Sequence, residues 1–399
     1  MHTSQYHAEV IVLEGGERLP LLIDRATGVP DGFATDYSLA AHRGKPINTT
    51  HRAIAAIAIF YDWARSREIN LEKRFGTLRL FTSDELTSLA DFLWLDRRPV
   101  RNGAMPRSVV GQTQGSRVDS LIAYLKWRVG LVVSSLSNDD VRVVQGNLRL
   151  EATTDQLRNL KGKSVSTERG QIDEGQCKRL FEIVRPGSEE NPFQKRTQLR
   201  NFVILLAYYE LGIRRAEILT LKGGHASIGP RSTFHITFTP NDPEDPRKDM
   251  PSVKTRSRLL PVSKRLAAAY EGLLKERRSN PATARAAKKT AFVVLSTTDG
   301  APLSIDAVDD IFVVLRSRFP EIFPPDFAPH HLRRTWNYRF SKACENAGAE
   351  EKLVERLHRY LMGWSIKSSQ PGKYNQRYIE EQAFAILISM QDAMTGESS

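Results

Sequence analysis

Two arginines and a histidine occupy positions that suit the binding of a phosphate group. Arg214 follows Gly212 by two residues, at the junction where one apolar helix ends and another begins. His330 and Arg333 are three residues apart at the predicted start of a helix, so they share one face near its N-terminus. Guanidinium groups bind phosphate oxygens through charge-assisted hydrogen bonds and stabilise the added charge of a pentacoordinate transition state. The three residues therefore indicate phosphoryl transfer.

A lysine and a tyrosine further along the chain complete the chemistry of strand cleavage. Lys254 begins KTRSRLLPV, which leads into the second strand of a predicted hairpin, so we expect it at or near the hairpin tip. A lysine there can protonate a departing 5′ oxygen, while the histidine binds the same phosphate or transfers a proton. Tyr374 ends the segment SSQPGKY. Attack by its phenol on phosphorus would form a covalent ester that preserves the energy of the broken bond, so religation would need neither ATP nor a metal ion.

The order of these segments closely resembles the catalytic signature of the tyrosine recombinases, the phage integrase family. GIRRAE comes first, then KT before a strand that ends in proline, then HHLR, then MGW, then a tyrosine. The resemblance spans residues 175–385. In that family two arginines, a hairpin lysine, an HxxR motif, a His or Trp position and a nucleophilic tyrosine form the active site. By match, the resemblance assigns these roles to Arg214, Lys254, His330, Arg333, Trp364 and Tyr374, with Glu217 as an acidic residue that supports the first arginine.

Each assignment has a structural alternative. Taken singly, any of these side chains is more simply explained as a salt bridge, a solvated charge, a helix cap, a core aromatic or a surface ring. The ordered set favours catalysis, because separate segments agree on one chemistry. Lys248 lies in the same connection and is a rival to Lys254. Tyr378 is a rival to Tyr374, which sits one residue further from Trp364 than the family spacing; Tyr374 is preferred because it follows ProGly, whereas a helix is predicted to begin beside Tyr378.

The composition favours a nucleic acid partner. The 399 residues carry a formal net charge of +12, and the pI is about 9.7. A field of this sign attracts polyanions, although many basic proteins are simply soluble and charge alone does not decide the partner. The two cysteines, Cys177 and Cys344, form neither a disulfide framework nor a metal-ligand pattern. We therefore expect DNA or RNA as the leading partner class, which the motifs must decide between, with no metal site and no cofactor.

A basic connection is a candidate DNA contact. The segment DRRPVRNGAMPR, residues 96–107, contains two prolines that preclude a regular helix. A solvated loop is an equally weighted alternative, because charge runs are usually solvated. The candidate DNA-binding residues are Arg97, Arg98, Arg101 and Arg107 in this segment, and Arg117, Lys126 and Arg128 in the helix that follows.

The patterning predicts a mainly α protein with a small β-hairpin or sheet insert. Residues 1–34 alternate and suit an N-terminal arm or hairpin. Residues 35–147 predict a helical bundle, and residues 148–172 form a polar linker with the domain boundary near 165. Residues 173–399 predict the catalytic domain, which is helical apart from the strand-turn-strand insert. By resemblance, the bundle is the family's core-binding domain, which clamps DNA opposite the catalytic domain.

Local signals place several elements within these domains. ThrThr at 49–50 predicts a helix cap, and Thr82 with Glu85 predicts a capping box. Strands are predicted at 233–239 and 258–262, joined by a long connection expected to be a mobile loop. Predicted helices of the catalytic domain are 174–184, 198–211, 266–277, 305–318, 332–347, 351–361 and 380–394. The last of these has an apolar stripe that suits docking either on a neighbouring protomer or within its own domain.

These observations predict a site-specific DNA recombinase that cleaves and rejoins strands through a 3′-phosphotyrosine. The resemblance implies a homotetramer on two double-stranded DNA sites, and integration, transposition and resolution all stay open as its role. The apolar runs are too short to span a membrane and MHTSQYHAEV lacks the features of a secretory signal, so we expect a cytoplasmic, nucleoid-associated protein. The alternatives are a type IB topoisomerase, or a DNA-binding regulator that has lost catalysis on the same fold.

Overall fold

The chain folds into two compact units. The computed structural model describes residues 4–96, 108–137, 139–163 and 170–364. Unit 1 comprises Met1–Glu168 together with Asn241–Pro243, and unit 2 comprises Arg169–Pro240 and Glu244–Ser399. Each unit has its own cluster of buried apolar side chains.

The described part of unit 1 contains one β-hairpin and six helices. Strands β1 (Tyr6–Val12) and β2 (Arg18–Asp24) pair antiparallel, with Glu9 opposite Leu21. The helices are α1 (Gly32–His42), α2 (Ile47–Ser66), α3 (Leu71–Gly76), α4 (Ser83–Trp94), α5 (Gly111–Ser134) and α6 (Val141–Asn159).

Helix α2 supplies much of the core of unit 1. Its residues Ile54, Ile57, Phe60 and Ala64 recur at helical spacing and are buried. Leu22 of β2 belongs to the same core cluster. The N-terminal hairpin is therefore part of unit 1, where the sequence indicated an arm or hairpin that precedes the first domain.

The predicted helix starts in unit 1 had different outcomes. Thr82 and Glu85 form the predicted capping box at the start of α4, with both reciprocal hydrogen bonds present. The cap predicted at residues 49–50 is wrong, because α2 begins earlier, at Ile47, and has no side-chain cap. Thr50 instead lies in the first turn and donates to the carbonyl of Pro46 at 3.3 Å.

Helix α6 occupies sequence that was predicted to be partly linker. Its buried face carries Thr153, Thr154 and Leu157, while Val144 and Leu148 are each 61% exposed. The buried face therefore mixes threonines with Leu157 while two apolar side chains are exposed, so α6 lacks the continuous apolar face that identifies an amphipathic helix. Residues 148–159 therefore continue unit 1 as helix.

The described part of unit 2 is helical around one small sheet. Strands β3 (Ala226–Ser227), β4 (Thr233–Ile236) and β5 (Arg258–Pro261) form an antiparallel sheet in that order, with Phe234 opposite Leu260. The helices are α7 (Glu174–Ile183), α8 (Lys195–Leu211), α9 (Arg215–Leu219), α10 (Lys264–Ser279), α11 (Pro281–Ala287), α12 (Ile305–Arg318), α13 (Pro329–Asn346) and α14 (Glu351–Met362), with a short 3₁₀ turn at Gly223–His225.

Helix α8 is the centre of the core of unit 2, because every residue from Phe202 to Tyr208 is buried. The predicted fold class, mainly α with a small β insert, is confirmed. The helix predicted at 380–394 lies outside the described residues. Within the part of the chain that the structure describes, no helix is both long and apolar enough to cross a bilayer.

The connection between β4 and β5 is packed where a mobile loop was predicted. Arg247 pairs with the buried Asp245 and donates to the carbonyls of Leu303 at 2.7 Å and Leu219 at 3.2 Å. Met250 is also buried. These contacts fix the connection against α9 and the segment before α12.

Candidate active site

The C-terminal end of α14 gathers arginines from two distant segments. Three consecutive carbonyl oxygens, at residues 361–363, each accept a hydrogen bond from an arginine. Arg258 Nε donates to Leu361 at 2.6 Å, Arg214 Nη1 to Met362 at 3.2 Å, and the Arg256 backbone N–H to Gly363 at 3.1 Å. The last carbonyls of a helix have no partner within the helix and carry partial negative charge, which favours such donors.

Arg214 immediately precedes the short helix α9. Its backbone N–H donates to Glu217 Oε2 at 2.7 Å, which fixes the start of α9. The side chain of Arg214 is only partly buried. The predicted supporting role of Glu217 therefore has a geometric basis, since the carboxylate holds the backbone from which the arginine extends.

Glu217 lies at the centre of a buried polar group that we call the Glu217 cluster, comprising Glu217, Thr255 and Arg258. Arg258 donates to both carboxylate oxygens, at 3.0 and 3.1 Å, and Thr255 Oγ1 donates to Oε1 at 2.5 Å. All three side chains are buried. Burial alone would raise the pKa of Glu217, but the charges of Arg258 and Arg333 and the hydrogen bonds lower it, so the carboxylate is ionised.

Lys254 is exposed between two buried neighbours, Val253 and Thr255. It lies four residues before β5, at the end of the connection, whereas the sequence predicted a position at or near the hairpin tip. Packing of the connection explains the difference, because Val253 and Thr255 anchor this stretch beside β5. Its rival, Lys248, lies one residue after Arg247, in the part of the connection fixed near α9.

Arg333 is positioned from the first turns of α13. Its side chain is only 1% exposed, and Nη1 donates to the carbonyl of Gly212. Gly212 ends α8 in the left-handed conformation, with φ of +59°, and a Cβ there would lie 2.7 Å from Trp336. Glycine is needed at this position to bring the chain before Arg214 so close to α13.

The two adjacent histidines of α13 differ in burial. His330 is exposed one helical turn before Arg333. His331 is buried, accepts from the Ala328 backbone N–H at 3.2 Å, and lies 3.5 Å from Asp326. Desolvation lowers the pKa of His331. His331 therefore helps to cap α13, and His330 is the one that presents its ring to the surface.

Trp364 follows α14 and is 6% exposed. The Arg333 guanidinium lies 5.8 Å from the centre of its ring, and the ring of His358 lies 4.9 Å from it. His358 is itself hydrogen-bonded to Asn337, whose side chain donates to the carbonyl of Arg333 at 2.6 Å. Desolvation, with the charge of Arg333, lowers the pKa of His358 to about 4, so this ring is neutral.

The structure brings most of the predicted site residues into one region of unit 2. Arg214, Glu217, Arg333 and Trp364 are joined by the contacts described above. Lys254 and His330 are exposed and adjoin this group through Thr255 and Arg333 respectively. Tyr374 and its rival Tyr378 lie outside the described residues.

Sequence reasoning missed several residues that build the site: Thr255, Arg258, His331, Asn337 and His358. Arg258 and Thr255 stand within the segment that contains Lys254, so their proximity along the chain was a usable signal. His358 and Asn337 carried no such signal, because their pairing joins two helices.

The DNA-binding candidates of unit 1 also differ in exposure. Lys126 is exposed, and Arg117 donates to the carbonyls of Leu93 and Leu95 at 2.6 and 2.9 Å. Arg128 is 3% exposed, pairs with Glu72 and lies over the ring of Phe33. Its guanidinium stabilises the core and is not presented to a phosphate. The candidates Arg97, Arg98, Arg101 and Arg107 lie outside the described residues.

Among the described residues, no group of three or more His, Cys, Asp or Glu side chains is arranged to hold a metal ion. The site instead offers guanidinium, hydroxyl, imidazole, indole and ammonium groups. Such a set suits a phosphate ester as ligand.

Comparison with known proteins finds similarity only among solved structures. No family model and no curated protein matches the chain. The XerH site-specific recombinase bound to its substrate before cleavage is 12% identical, with 88% of this chain and 93% of that chain covered and a TM-score of 0.42. The Tn1549 transposon integrase in complex with transposon right end DNA is 14% identical, with 83% of this chain and 99% of that chain covered and a TM-score of 0.40.

A third similar structure is a lambda integrase tetramer bound to a Holliday junction. It is 13% identical, with 92% of this chain and 94% of that chain covered and a TM-score of 0.36. Identities and TM-scores at this level describe a distant likeness.

Proposed function

We propose that this protein is a site-specific DNA recombinase of the tyrosine recombinase type. The observation that carries the proposal is the grouping of Arg214, Glu217, Arg333 and Trp364, which come from segments up to 150 residues apart (364 − 214) and meet at the end of α14. Their order along the chain is the one in the family signature. A basic protein with this group is suited to attack on a DNA phosphate.

In the proposed reaction, Arg214 and Arg333 bind the non-bridging oxygens of the scissile phosphate. The phenol oxygen of Tyr374 forms a bond to phosphorus and passes its proton to the imidazole of His330, and the bond from phosphorus to the 5′ oxygen breaks. The electron pair of that bond goes to the 5′ oxygen, which takes a proton from the Lys254 ammonium. His330 and Trp364 add hydrogen bonds to the same phosphate. The reverse sequence rejoins the strand.

The substrate is double-stranded DNA, and unit 1 contributes further contacts. Lys126 and Arg117 are candidates in the described part, with the arginines of residues 97–107 beside them in sequence. Arg128 is left out of this set because its guanidinium is paired with Glu72 and lies over the ring of Phe33. By family resemblance, four copies act on two DNA sites, in a cytoplasmic, nucleoid-associated setting.

The test begins with covalent capture. Wild-type protein incubated with a random library of nicked duplexes should trap a subset of sequences as a protein-DNA adduct that survives denaturation. Sequencing the trapped duplexes gives the cleavage site. An adduct requires a nucleophilic enzyme, so its absence would support a regulator that binds DNA without cutting it. A two-site exchange assay beside a supercoil relaxation assay then separates a recombinase from a topoisomerase.

Arg214→Ala and Arg333→Ala should each lower the rate of adduct formation by about a hundred- to a thousandfold while DNA binding persists, because each removes a donor to the transition state. Arg215→Ala is the matched control. Arg215 is adjacent to Arg214 but pairs with Asp309 of α12, so this variant should still cleave. Cleavage at the wild-type rate by either Arg214→Ala or Arg333→Ala would remove that arginine from the proposed site.

The nucleophile is identified by mapping the peptide that carries the trapped DNA. Tyr374 should carry the adduct, so Tyr374→Phe should bind DNA and form none, whereas Tyr378→Phe should still react. Recovery of DNA on Tyr378 would reverse this assignment and leave the recombinase proposal in place.

A further inference from the structure

Thr255 occupies a position that links the proposed general acid to the rest of the site. Its hydroxyl donates to Glu217 Oε1 at 2.5 Å and accepts from Arg258 Nη1 at 3.2 Å. The residue is buried, while Lys254 beside it is exposed. The next residue, Arg256, is tied through its backbone to the carbonyl of Gly363 at 3.1 Å.

The same carboxylate that binds Thr255 also holds the first arginine. Glu217 Oε2 accepts from the backbone N–H of Arg214 at 2.7 Å and from Arg258 Nη2 at 3.1 Å. Arg258 in turn donates to Leu361 at the end of α14. One buried carboxylate therefore connects the segments that carry Arg214, Lys254 and Trp364.

The packing around the cluster leaves it little room to shift. A Cβ on Gly363 would lie 2.7 Å from both Thr255 Cβ and Arg258 Nη1. Buried charge pairs are costly to break, because removal of one partner leaves the other desolvated. The position of Thr255 is thus determined by contacts on its own connection, on α9 and on α14.

We propose that Thr255 is a positioning residue for Lys254: through the Glu217 cluster, its hydroxyl holds the lysine where its ammonium can protonate the departing 5′ oxygen. This inference rests on the proposed function and specifies how one of its groups is oriented. Displacement of a general acid by about 1 Å can cost on the order of a hundredfold in rate, so a single hydrogen bond has measurable consequences.

The test uses two substrates that differ in one atom. Both are DNA duplexes that carry the cleavage sequence found by covalent capture. One has the natural 5′ oxygen at the scissile phosphate, and the other has sulfur in its place. When the bond from phosphorus to sulfur breaks, the electron pair leaves as a stable thiolate that needs no proton. A defect in proton donation should therefore disappear on the sulfur substrate, and a defect in phosphate binding should persist on both.

Thr255→Val removes the hydroxyl with little change in shape, and it should slow adduct formation on the oxygen substrate by about tenfold to a hundredfold. On the sulfur substrate it should react at close to the wild-type rate. Thr255→Ser keeps the hydroxyl and should restore most of the activity on the oxygen substrate. Lys254→Ala is the reference variant: its rate of adduct formation should fall further on the oxygen substrate and return close to the wild-type rate on the sulfur substrate.

Thr283→Val is the matched control for the loss of a buried hydroxyl. Thr283 is buried in the same unit and donates to the carbonyl of Arg277 at 3.0 Å, with no link to the Glu217 cluster. This variant should react normally with both substrates. If Thr255→Val does not fold, as judged by its unfolding transition, Thr255→Ala replaces it because it introduces no added bulk.

Equal slowing of Thr255→Val on both substrates would overturn the inference and indicate a general structural role, as would an unchanged rate on oxygen. Failure of Lys254→Ala to recover on sulfur would also overturn it, because the lysine would not be the general acid. If the wild-type protein forms no adduct with either substrate, the proposed function itself fails.

Discussion

At the scale of single residues, the site is distinguished by the buried charge it carries. Arg258 and Arg333 are both desolvated, and Glu217 is the carboxylate whose charge interacts with both. Burial of one carboxylate with two guanidiniums leaves a net positive charge, which is unfavourable unless an anion binds. With Arg214 at its edge, the group is suited to receive a phosphate in the transition state.

His358 should make the stability of unit 2 dependent on pH. Its pKa is lowered from 6.5 to about 4 in the folded protein. Because the folded pKa is depressed, the contribution is present above pH 6.5 and is lost as pH falls towards 4, where the unfolded chain takes up a proton that the folded chain does not. As the pH falls from 7.5 to 5, titration of this group should lower the free energy of unfolding by about 2 kcal/mol.

Denaturant unfolding of wild type and His358→Gln at both pH values measures this contribution. Glutamine can keep a hydrogen bond to Asn337 but does not titrate, so the variant should lose less stability at pH 5 than the wild type does. A parallel loss in the two proteins would show that other groups cause the acid sensitivity.

At the scale of elements, the end of α14 determines how the site is assembled. Its last turn provides the carbonyls for Arg214 and Arg258, and Gly363 then turns the chain with φ of +65° so that Trp364 faces Arg333. An amphipathic helix that ends in a left-handed glycine is a common arrangement. Here the turn lies against the Glu217 cluster.

Gly363→Ala should reduce both stability and cleavage. The positive φ costs about 1 kcal/mol for a residue with a Cβ, and contact at 2.7 Å with Thr255 and Arg258 adds to it by displacing the cluster. Gly348→Ala is the matched control, since Gly348 follows α13 with φ of +61° and a Cβ added there would meet nothing within 4 Å.

Thermal unfolding and adduct formation should be measured for both glycine variants. Gly348→Ala should lose stability only through backbone strain and should retain cleavage. Equal losses in the two variants would mean that close packing at Gly363 has no functional consequence.

At the scale of the whole molecule, the chain has two separate cores and divides between residues 168 and 169, apart from Asn241–Pro243, which belongs to unit 1. Unit 1 is built around α2, and unit 2 is built around α8. The two clusters share no members, so each unit has its own hydrophobic core, as an independent domain does.

Residues 1–168 and 169–399, produced separately, should therefore each unfold in one cooperative transition. Each should bind DNA on the order of a hundredfold more weakly than the full chain, because the covalent link raises the effective concentration of the second unit. Circular dichroism measures the unfolding transition, and fluorescence anisotropy measures DNA binding.

Limited proteolysis of the full chain should cut first between about 150 and 172, and within that window after α6 ends at Asn159. Early cutting inside either core, or a fragment without a transition, would contradict the division.

Local sequence determined the elements whose signals are local. The capping box of α4 and the span of α12 followed from residues within a few positions of each other, because caps and helical spacing act over one or two turns. The order of the candidate catalytic residues was likewise present in the amino-acid sequence. Their chemistry depends on residue type, which a sequence states directly.

Tertiary structure decided what depends on burial and on distant partners. In α13 it showed that His331 is buried while His330 is exposed. In α5 it showed that Arg128 is buried while Lys126 is exposed. It also showed α6, in which Val144 and Leu148 are exposed while two threonines are buried. In the Glu217 cluster, Thr255 and Arg258 follow Glu217 by 38 and 41 positions, and Arg258 also contacts the end of α14 about a hundred positions later. No periodicity within one segment encodes such contacts. The desolvation that sets their charge and pKa arises only when the separate segments pack together.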